Sequence, residues 1–532
     1  MSITKIFKVL QLRRPANLGA YHLLGNEADH VEKGEYHAAS VCDIEHSRPC
    51  AETDTPKQMN YRQPLRIFGF LLPSFLQAST TRTEQTKLRP TAWLDGLRGV
   101  AALFVVIHHM SLIWFSWDIH DGWSGWDDRL IQLPIIRLVV SGPPNVMIFF
   151  VISGYALSYK PLSLISKGGP HLKLYETLAS SVFRRHSRLF IPALIICSPA
   201  PVIAYLGGYR GEGMPGAAIK PMNPPRFETL WDQFSHYAET LISLSDIYSP
   251  KGLNWAYSDS LWTLPIEFKS SLVVFTMLVA LSRCTRRARV AVTLCVAFYS
   301  WWYFHWGELL FIGGMLVVEA NLLFQRPSPS TGGELRCDDQ RNGVQAARSK
   351  SPLSAALRSL SLRRLRSIAV FLAGLFILSM PEQGRGAADS YGFGALVALI
   401  PDRFHAAGAG DYFWQPMAAI FIVLVIDRTR FLQRIFTTGL AQYLGRVSFA
   451  LYLVHMLILH SLGFWLGKYV LPITEATSMS SSRYGIGVIL VGSVVGCVII
   501  WAADLGSRFV DANAVRFTAW AYGELCETVV EN

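Results

Sequence analysis

Residues 93–115 read WLDGLRGVAALFVVIHHMSLIWF, and this stretch decides what kind of protein the chain makes. It is long enough to cross a bilayer, which takes roughly 20 apolar residues, yet it holds Asp95, Arg98, His108 and His109. Ionisable groups in hydrocarbon are costly and face a bundle interior, so the stretch predicts a membrane protein with a buried polar site. Arg98 and His109 are eleven positions apart. At 100° per residue they return to within about 20° of one helix face, roughly 16 Å apart along the axis. Asp95 shares that face.

The rest of the 532 residues agrees with a lipid-solvated chain: 51% are hydrophobic and only 16% charged, with a mean hydropathy of +0.28. The net charge of +11 sits in short basic clusters beside apolar runs, where anionic headgroups and orientation rules account for it, so nucleic acid is not an expected partner. The eight cysteines form no CxxC pair, and neither a disulfide framework nor a metal site is expected. The N-terminus lacks an uninterrupted apolar h-region, so no cleaved signal peptide is expected.

Apolar runs place spans near 93–115, 135–158, 189–208, 261–281, 290–304, 308–324, 367–380, 412–426, 447–466 and 485–506. With the N-terminus cytoplasmic, the loops on that side (159–188, 282–289, 325–366, 427–446) carry 23 basic against 5 acidic residues, and the opposite loops 9 against 15. That alternation is the positive-inside pattern. It predicts an all-α, polytopic membrane helix bundle of about ten transmembrane helices with both termini cytoplasmic, in the endoplasmic reticulum or another endomembrane. Residues 1–92 read as a partly disordered cytoplasmic tail with an interfacial segment at 67–78, 93–507 as the membrane domain, and 508–532 as a short C-terminal tail. The Ser-, Gly- and Arg-rich loop 325–366 reads as a flexible linker. The long segment 209–260 reads as a lid or acceptor cap, or equally as an interfacial aromatic belt.

The polar residues of the spans suit an acyl-CoA reaction. Arg98 at the cytoplasmic mouth would hold a donor phosphate, and an imidazole deeper in would take the proton of an acceptor hydroxyl. Arg98 alone reads rather as a snorkelling cation, but a mid-span pair, His108 and His109, favours a site over interhelical hydrogen bonding. Glu267, in SLWTLPIEFKSS, lies at a depth comparable with His109 and would orient its imidazole, or else pair with Lys269 or an arginine. Asp95 is the other carboxylate able to back His109. Ser153-Gly154 reads first as helix packing. His455 shares a face with Tyr452 and is expected to line the same cavity, with His460 a weaker candidate. Arg184, Arg185 and Arg188, in FRRHSRLFIP, are an inner-surface anchor unless CoA phosphates are the ligand.

Taken together these motifs resemble the membrane acyltransferase family 3 of bacteria and fungi. DGLRGVAALFVVIHH resembles its Arg-x10-His signature, which selects Arg98 and His109. IFFVISGYALS is similar to its second-helix motif, FRRHSRLFIP to its third-helix arginine motif and LGRVSFALYLVHM to its late YxxH-type helix. SLWTLPIEF is similar to its WS-x-E-type segment in the fungal form. The resemblance covers about 93–510. It implies transfer of an acyl group, often acetyl, from a CoA co-substrate to a hydroxyl of a small molecule, lipid or glycan, with no bound cofactor. No HxxxxD follows His109, since Trp114 occupies that place, and no GxSxG is present. Direct attack of the acceptor is therefore expected rather than a covalent serine route, with His109 as base. A proton-coupled transporter or flippase using the same residues is the alternative, and a silent receptor or scaffold a third.

Overall fold

The computed structural model describes residues 71–77, 88–125, 129–209, 213, 216–247, 256–324, 352–474, 479 and 481–526, all within one compact unit, 61–532. The unit formed by residues 1–60 lies outside the described residues, as does most of the expected N-terminal tail. Among the described residues the secondary structure is helical, without strands. The main helices are α1 (Ala92–Trp114), α2 (Gly142–Ser166), α3 (His171–Ile196), α4 (Pro199–Tyr205), α5 (Leu230–Ser245), α6 (Thr263–Ala280), α7 (Arg286–Trp302), α8 (Trp306–Phe324), α9 (Pro352–Leu378), α10 (Asp411–Arg428), α11 (Gly439–Ile458), α12 (Ser482–Gly506) and α13 (Ala512–Leu525).

Local chemistry sets several helix starts. Pro143 and Pro144 occupy the first turn of α2, where a missing N–H costs nothing. This is why α2 begins at Gly142 rather than at 135; residues 136–140 form a separate 3₁₀ turn. Thr229 caps α5 by accepting from Asp232 N at 3.1 Å, and Ser481 caps α12 by accepting from Tyr484 N at 3.2 Å. α3 starts eighteen residues before the expected 189 and ends at Cys197–Ser198, ahead of Pro199 and Pro201 in α4. α11 runs through a π-helical turn at Leu459–Gly463. α12 likewise passes through a π-helical turn at Ser507–Asp511 into α13, so much of the expected C-terminal tail is helix, packed against α3.

Among the described residues seven helices are long and apolar enough to cross a membrane: α1, α2, α3 with α4, α6, α8, α11 and α12 with α13. The other three expected positions hold helices that fall short. α7 has 17 residues and opens on four arginines within its first turn and approach, α10 has 18 residues with Asp411, Asp427 and Arg428 at its ends, and α9 carries four arginines in its first half. α9 begins at Pro352, so the last part of the expected 325–366 linker is helical; residues 325–351 lie outside the described residues.

Close crossings organise the bundle. A Cβ added at Gly99 of α1 would stand 2.8 Å from Leu444 Cβ and nearer still to the α11 backbone, and one at Gly445 would stand 2.7 Å from the Asp95 carbonyl carbon. α1 and α11 therefore meet backbone to backbone, as small residues allow in membranes. Gly154 of α2 and Gly314 of α8 make the second such crossing, each lying against the other helix's backbone. α10 joins this pair through Asp427, which accepts from Tyr155 Oη at 3.0 Å and from Asn321 Nδ2 at 2.8 Å. Glu319 ties α8 to α7 by pairing with Arg289 and, at 3.3 Å, with Arg286.

The expected interfacial segment is seen at 71–77, laid on α12. Asp504 accepts from Ser74 N at 3.0 Å and Ser74 Oγ at 2.6 Å, from Tyr443 Oη at 3.3 Å, and pairs with Arg508 at 2.7 Å. Trp501 Nε1 and Arg508 Nη2 donate to the carbonyls of Leu71 and Leu72.

Candidate active site

The α1–α11 seam carries polar groups at both ends. At one end Arg98 is buried and donates from Nε to Ser448 Oγ and from Nη2 to the Gly445 carbonyl, both at 2.9 Å. Asp95 Oδ1 lies 3.6 Å from its guanidinium. Arg188 stands within electrostatic range of Arg98, Arg184 and Arg185, and Asp511 within range of Arg188 and Arg98. Asp511 sits on the π-helical turn and is buried, with neither carboxylate oxygen hydrogen-bonded among the described residues. Arg184 donates to the carbonyl of Ser180 in its own helix, at 3.1 Å.

About three turns from Arg98 along the same face of α1, the His109 ring lies 5.2 Å from that of His455 on α11 and 5.2 Å from that of His108. Both contacts are edge or tilted pairings, and His109 Nδ1 is buried without a partner. His455 Nδ1 faces two acceptors, the carbonyls of Tyr452 at 2.8 Å and Leu451 at 3.1 Å. Its proton is therefore on Nδ1, and Nε2 presents a bare lone pair, buried and unpartnered. Tyr452 stacks near this ring, 6.0 Å between centroids, while its hydroxyl bonds Thr263 Oγ1 and the Ser260 carbonyl at the start of α6.

The two carboxylates expected to back His109 do other work. Glu267 Oε1 accepts from Arg185 Nη2 at 2.8 Å and from Ser153 Oγ at 3.4 Å, tying α6 to α3 and α2. Lys269, the other expected partner, pairs with Glu308 instead. Asp95 lies fourteen residues from His109, roughly 21 Å along one straight helix, and its ion pair is with Arg98. Arg185 is thus engaged by Glu267, which leaves Arg98 and Arg188 as the guanidinium groups gathered at that end.

His108 belongs to a cluster on the other side of His109. Its Nδ1 donates to the Val140 carbonyl at 2.6 Å, and its ring meets His120 at 5.3 Å. His120 Nε2 lies 3.2 Å from Ser111 Oγ, and Arg137 Nη2 donates to the His120 carbonyl at 2.6 Å. Burial, then the charges of His108, Arg137 and Arg385, push the His120 imidazole down to about 3. Glu382, across this cluster, is raised by burial and by Asp411. A cavity of about 20 Å³, the size of one water molecule, lies between His108, His120, Arg137 and Gln415. A much larger apolar cavity, about 650 Å³, lies on the face of α1 turned away from His109, between Val106, Met110, Trp114, Val488 and Gly492.

Where described, the 209–260 segment meets the end of α1 that follows His109. Ala218 N and Ile219 N donate to the carbonyls of Phe115 and Leu112 at the end of α1, and Met222 N donates to His460 Nδ1 at 3.1 Å. Beneath it, His460 Nε2 stands 3.6 Å from Asp259 Oδ1.

The model of the acyltransferase-3 family, described as an acyltransferase domain, matches residues 91–502, a range that contains Arg98, His109, Glu267 and His455. The chain belongs to the acyltransferase-3 family. It is 37% identical over 476 residues to an O-acetyltransferase of Phomopsis amygdali, covering 86% of this chain and 89% of that one. It is 22% identical over 467 residues to an acyltransferase of a Phoma species, covering 80% and 94%, and 20% identical over 469 residues to an acyltransferase of Cochliobolus lunatus, covering 79% and 93%. No solved structure matches the chain. Family membership and the seven apolar helices make it an integral membrane acyltransferase.

Two features of this site escaped sequence reasoning. Asp511 lay in what read as a tail, although an Asp within an otherwise apolar helical run was a visible signal. Asp259 lay in an apparent loop and carried none.

Proposed function

We propose that the protein transfers an acyl group, acetyl in the first instance, from acyl-CoA to a hydroxyl of a small-molecule natural product or carbohydrate, with His109 as general base. The observation that carries this reading is the shared seam: Arg98 and His109 on one face of α1, both against α11. The donor's phosphates would approach Arg98 and Arg188, in a group where four guanidiniums, with Arg184 and Arg185, face the three carboxylates of Asp95, Glu267 and Asp511. The thioester would then extend along the seam. At the far end His109 takes the acceptor's hydroxyl proton as the oxygen attacks the thioester carbonyl; the C–S bond breaks, and the CoA thiolate leaves with that proton. His455, its ring 5.2 Å from that of His109, is the neighbouring imidazole on α11.

The O-acetyltransferase relative supports acetyl as the first donor to test, and a hydroxyl as the acceptor. The ten-span arrangement with both termini cytoplasmic, which puts the Arg98 end on the side where CoA is made, and residence in an endomembrane are part of the same proposal. The comparisons give the transporter alternative no support. The test uses membranes containing the full chain, radiolabelled acetyl-CoA and, as acceptor pool, the metabolite extract of a deletion strain. A labelled ester is expected with the wild type and none with His109→Ala that still elutes as folded protein. Retained turnover in that variant removes His109 as the base.

A further inference from the structure

Beyond the family's signature positions, the bundle holds a second imidazole and a carboxylate that nothing above assigns. His460 lies on the π-helical turn that follows α11, five positions after His455. Such a turn widens the helix and is a frequent mark of a functional site. His460 and His455 fall within electrostatic range of each other. His460 is 1% exposed. Its tautomer is set by the cap, because Met222 N donates to Nδ1 at 3.1 Å and so makes that nitrogen the acceptor. The ring proton is therefore on Nε2, which has no hydrogen-bond partner and looks at Asp259 Oδ1 across 3.6 Å. Asp259 also lies within range of His455. Its side chain is 46% exposed, open from the surface.

A buried N–H pointed at a carboxylate just beyond hydrogen-bond length is a contact poised to tighten when positive charge appears nearby. Positive charge appears when a histidine takes the acceptor's proton.

We propose that Asp259 is the positioning carboxylate of this active site: facing the buried His460 and within range of His455, it offsets the positive charge that the His109–His455 pair takes up with the acceptor's proton, the role that Glu267 and Asp95 are too committed or too distant to fill. No bond is made or broken at Asp259. The hydroxyl proton passes to the His109 centre and then to the thiolate, and the carboxylate supplies only a fixed negative charge during that interval. This rests on the acyl-transfer reading.

The experiment uses the full-length protein in detergent, radiolabelled acetyl-CoA and the same deletion-strain extract at a fixed amount. Asp259→Ala is expected to lower apparent kcat by roughly 10²-fold while leaving the KM for acetyl-CoA within about twofold, since the donor is held at the other end. Because Asp259 is open from the surface, added formate is expected to restore part of the rate, and Asp259→Glu to keep most of it. His460→Gln combined with Asp259→Ala is expected to be no slower than either alone, as for two groups that share one contact. A kcat unchanged by Asp259→Ala overturns the proposal. So does a loss that neither formate nor the Glu variant repairs, or one matched by an equal loss of monodisperse protein, because a scaffold role predicts both. Wild type yielding no labelled ester, by contrast, removes the acyl-transfer reading itself, while an active wild type, inactive His109→Ala and unaffected Asp259→Ala remove this inference alone.

Discussion

Replacing Gly99 by Ala tests whether the α1–α11 crossing is what holds Arg98. The added Cβ would meet Leu444 Cβ at 2.8 Å, with the Leu444 and Gly445 backbone closer still. Carbon atoms rest at about 3.5–4.0 Å, so the helices would have to part by on the order of 1 Å. Overpacking of that kind costs about 1–3 kcal/mol. The same movement would carry Arg98 Nη2 away from the Gly445 carbonyl, now at 2.9 Å, and out of hydrogen-bond reach. A hydrogen bond to a charged group is worth about 1.5–3 kcal/mol. If the donor depends on that fixed guanidinium, the KM for acetyl-CoA rises about ten- to hundredfold. Thermal stability by size-exclusion in detergent and acetyl-CoA kinetics read the two parts separately. Gly439→Ala is the control: it is in the same α11, and an added Cβ there meets nothing within 4 Å. Wild-type stability and KM in Gly99→Ala would refute the backbone-to-backbone crossing as the support of Arg98.

Two further outcomes follow from buried charge. His120 is held at about 3 in the fold, against the usual 6.5, chiefly by burial. A depressed value gives stability that is present above pH 6.5 and lost as pH falls toward 3, by up to about 1.4 kcal/mol per pH unit. His120→Gln is therefore expected to flatten the acid side of the denaturation profile between pH 6 and 4; curves parallel to wild type would count against it. Glu267→Gln is expected to cost about 3–5 kcal/mol by leaving Arg185 buried without its charge partner, and adding Arg185→Met to recover most of that. Equal melting of single and double variants would show that the pair does not govern stability.

The Arg98–His109 relation was legible in the sequence because both lie on one helix, where periodicity fixes the face. Apolar length located the seven spanning helices for the same reason. Glu267 could not be assigned, because its partner Arg185 is 82 positions away and only the α3–α6 contact chooses between Arg185, Lys269 and His109. His455 read as a cavity residue, and its tautomer depends on carbonyls whose aim needs coordinates. His460 reads as the weaker candidate because α-helical spacing puts it off the His455 face, and its partners Met222 and Asp259 lie 238 and 201 positions away. At α7, α9 and α10 apolar length alone does not decide: the helix that contains each run is shorter, or more charged, than the seven that are long and apolar enough to cross.

The clasp of residues 71–77 on Asp504 has a consequence for biosynthesis. Ser74 and Asp504 are 430 positions apart, and at roughly 5–20 residues per second the ribosome needs about 20–90 s to make the second after the first. Throughout that interval the segment before α1 has no docking site, while α1, α2 and α3 are already inserting. The clasp therefore closes after synthesis of α12. It is a contact by which a cell, or an experimenter following protease protection during translation, would see that the bundle is complete.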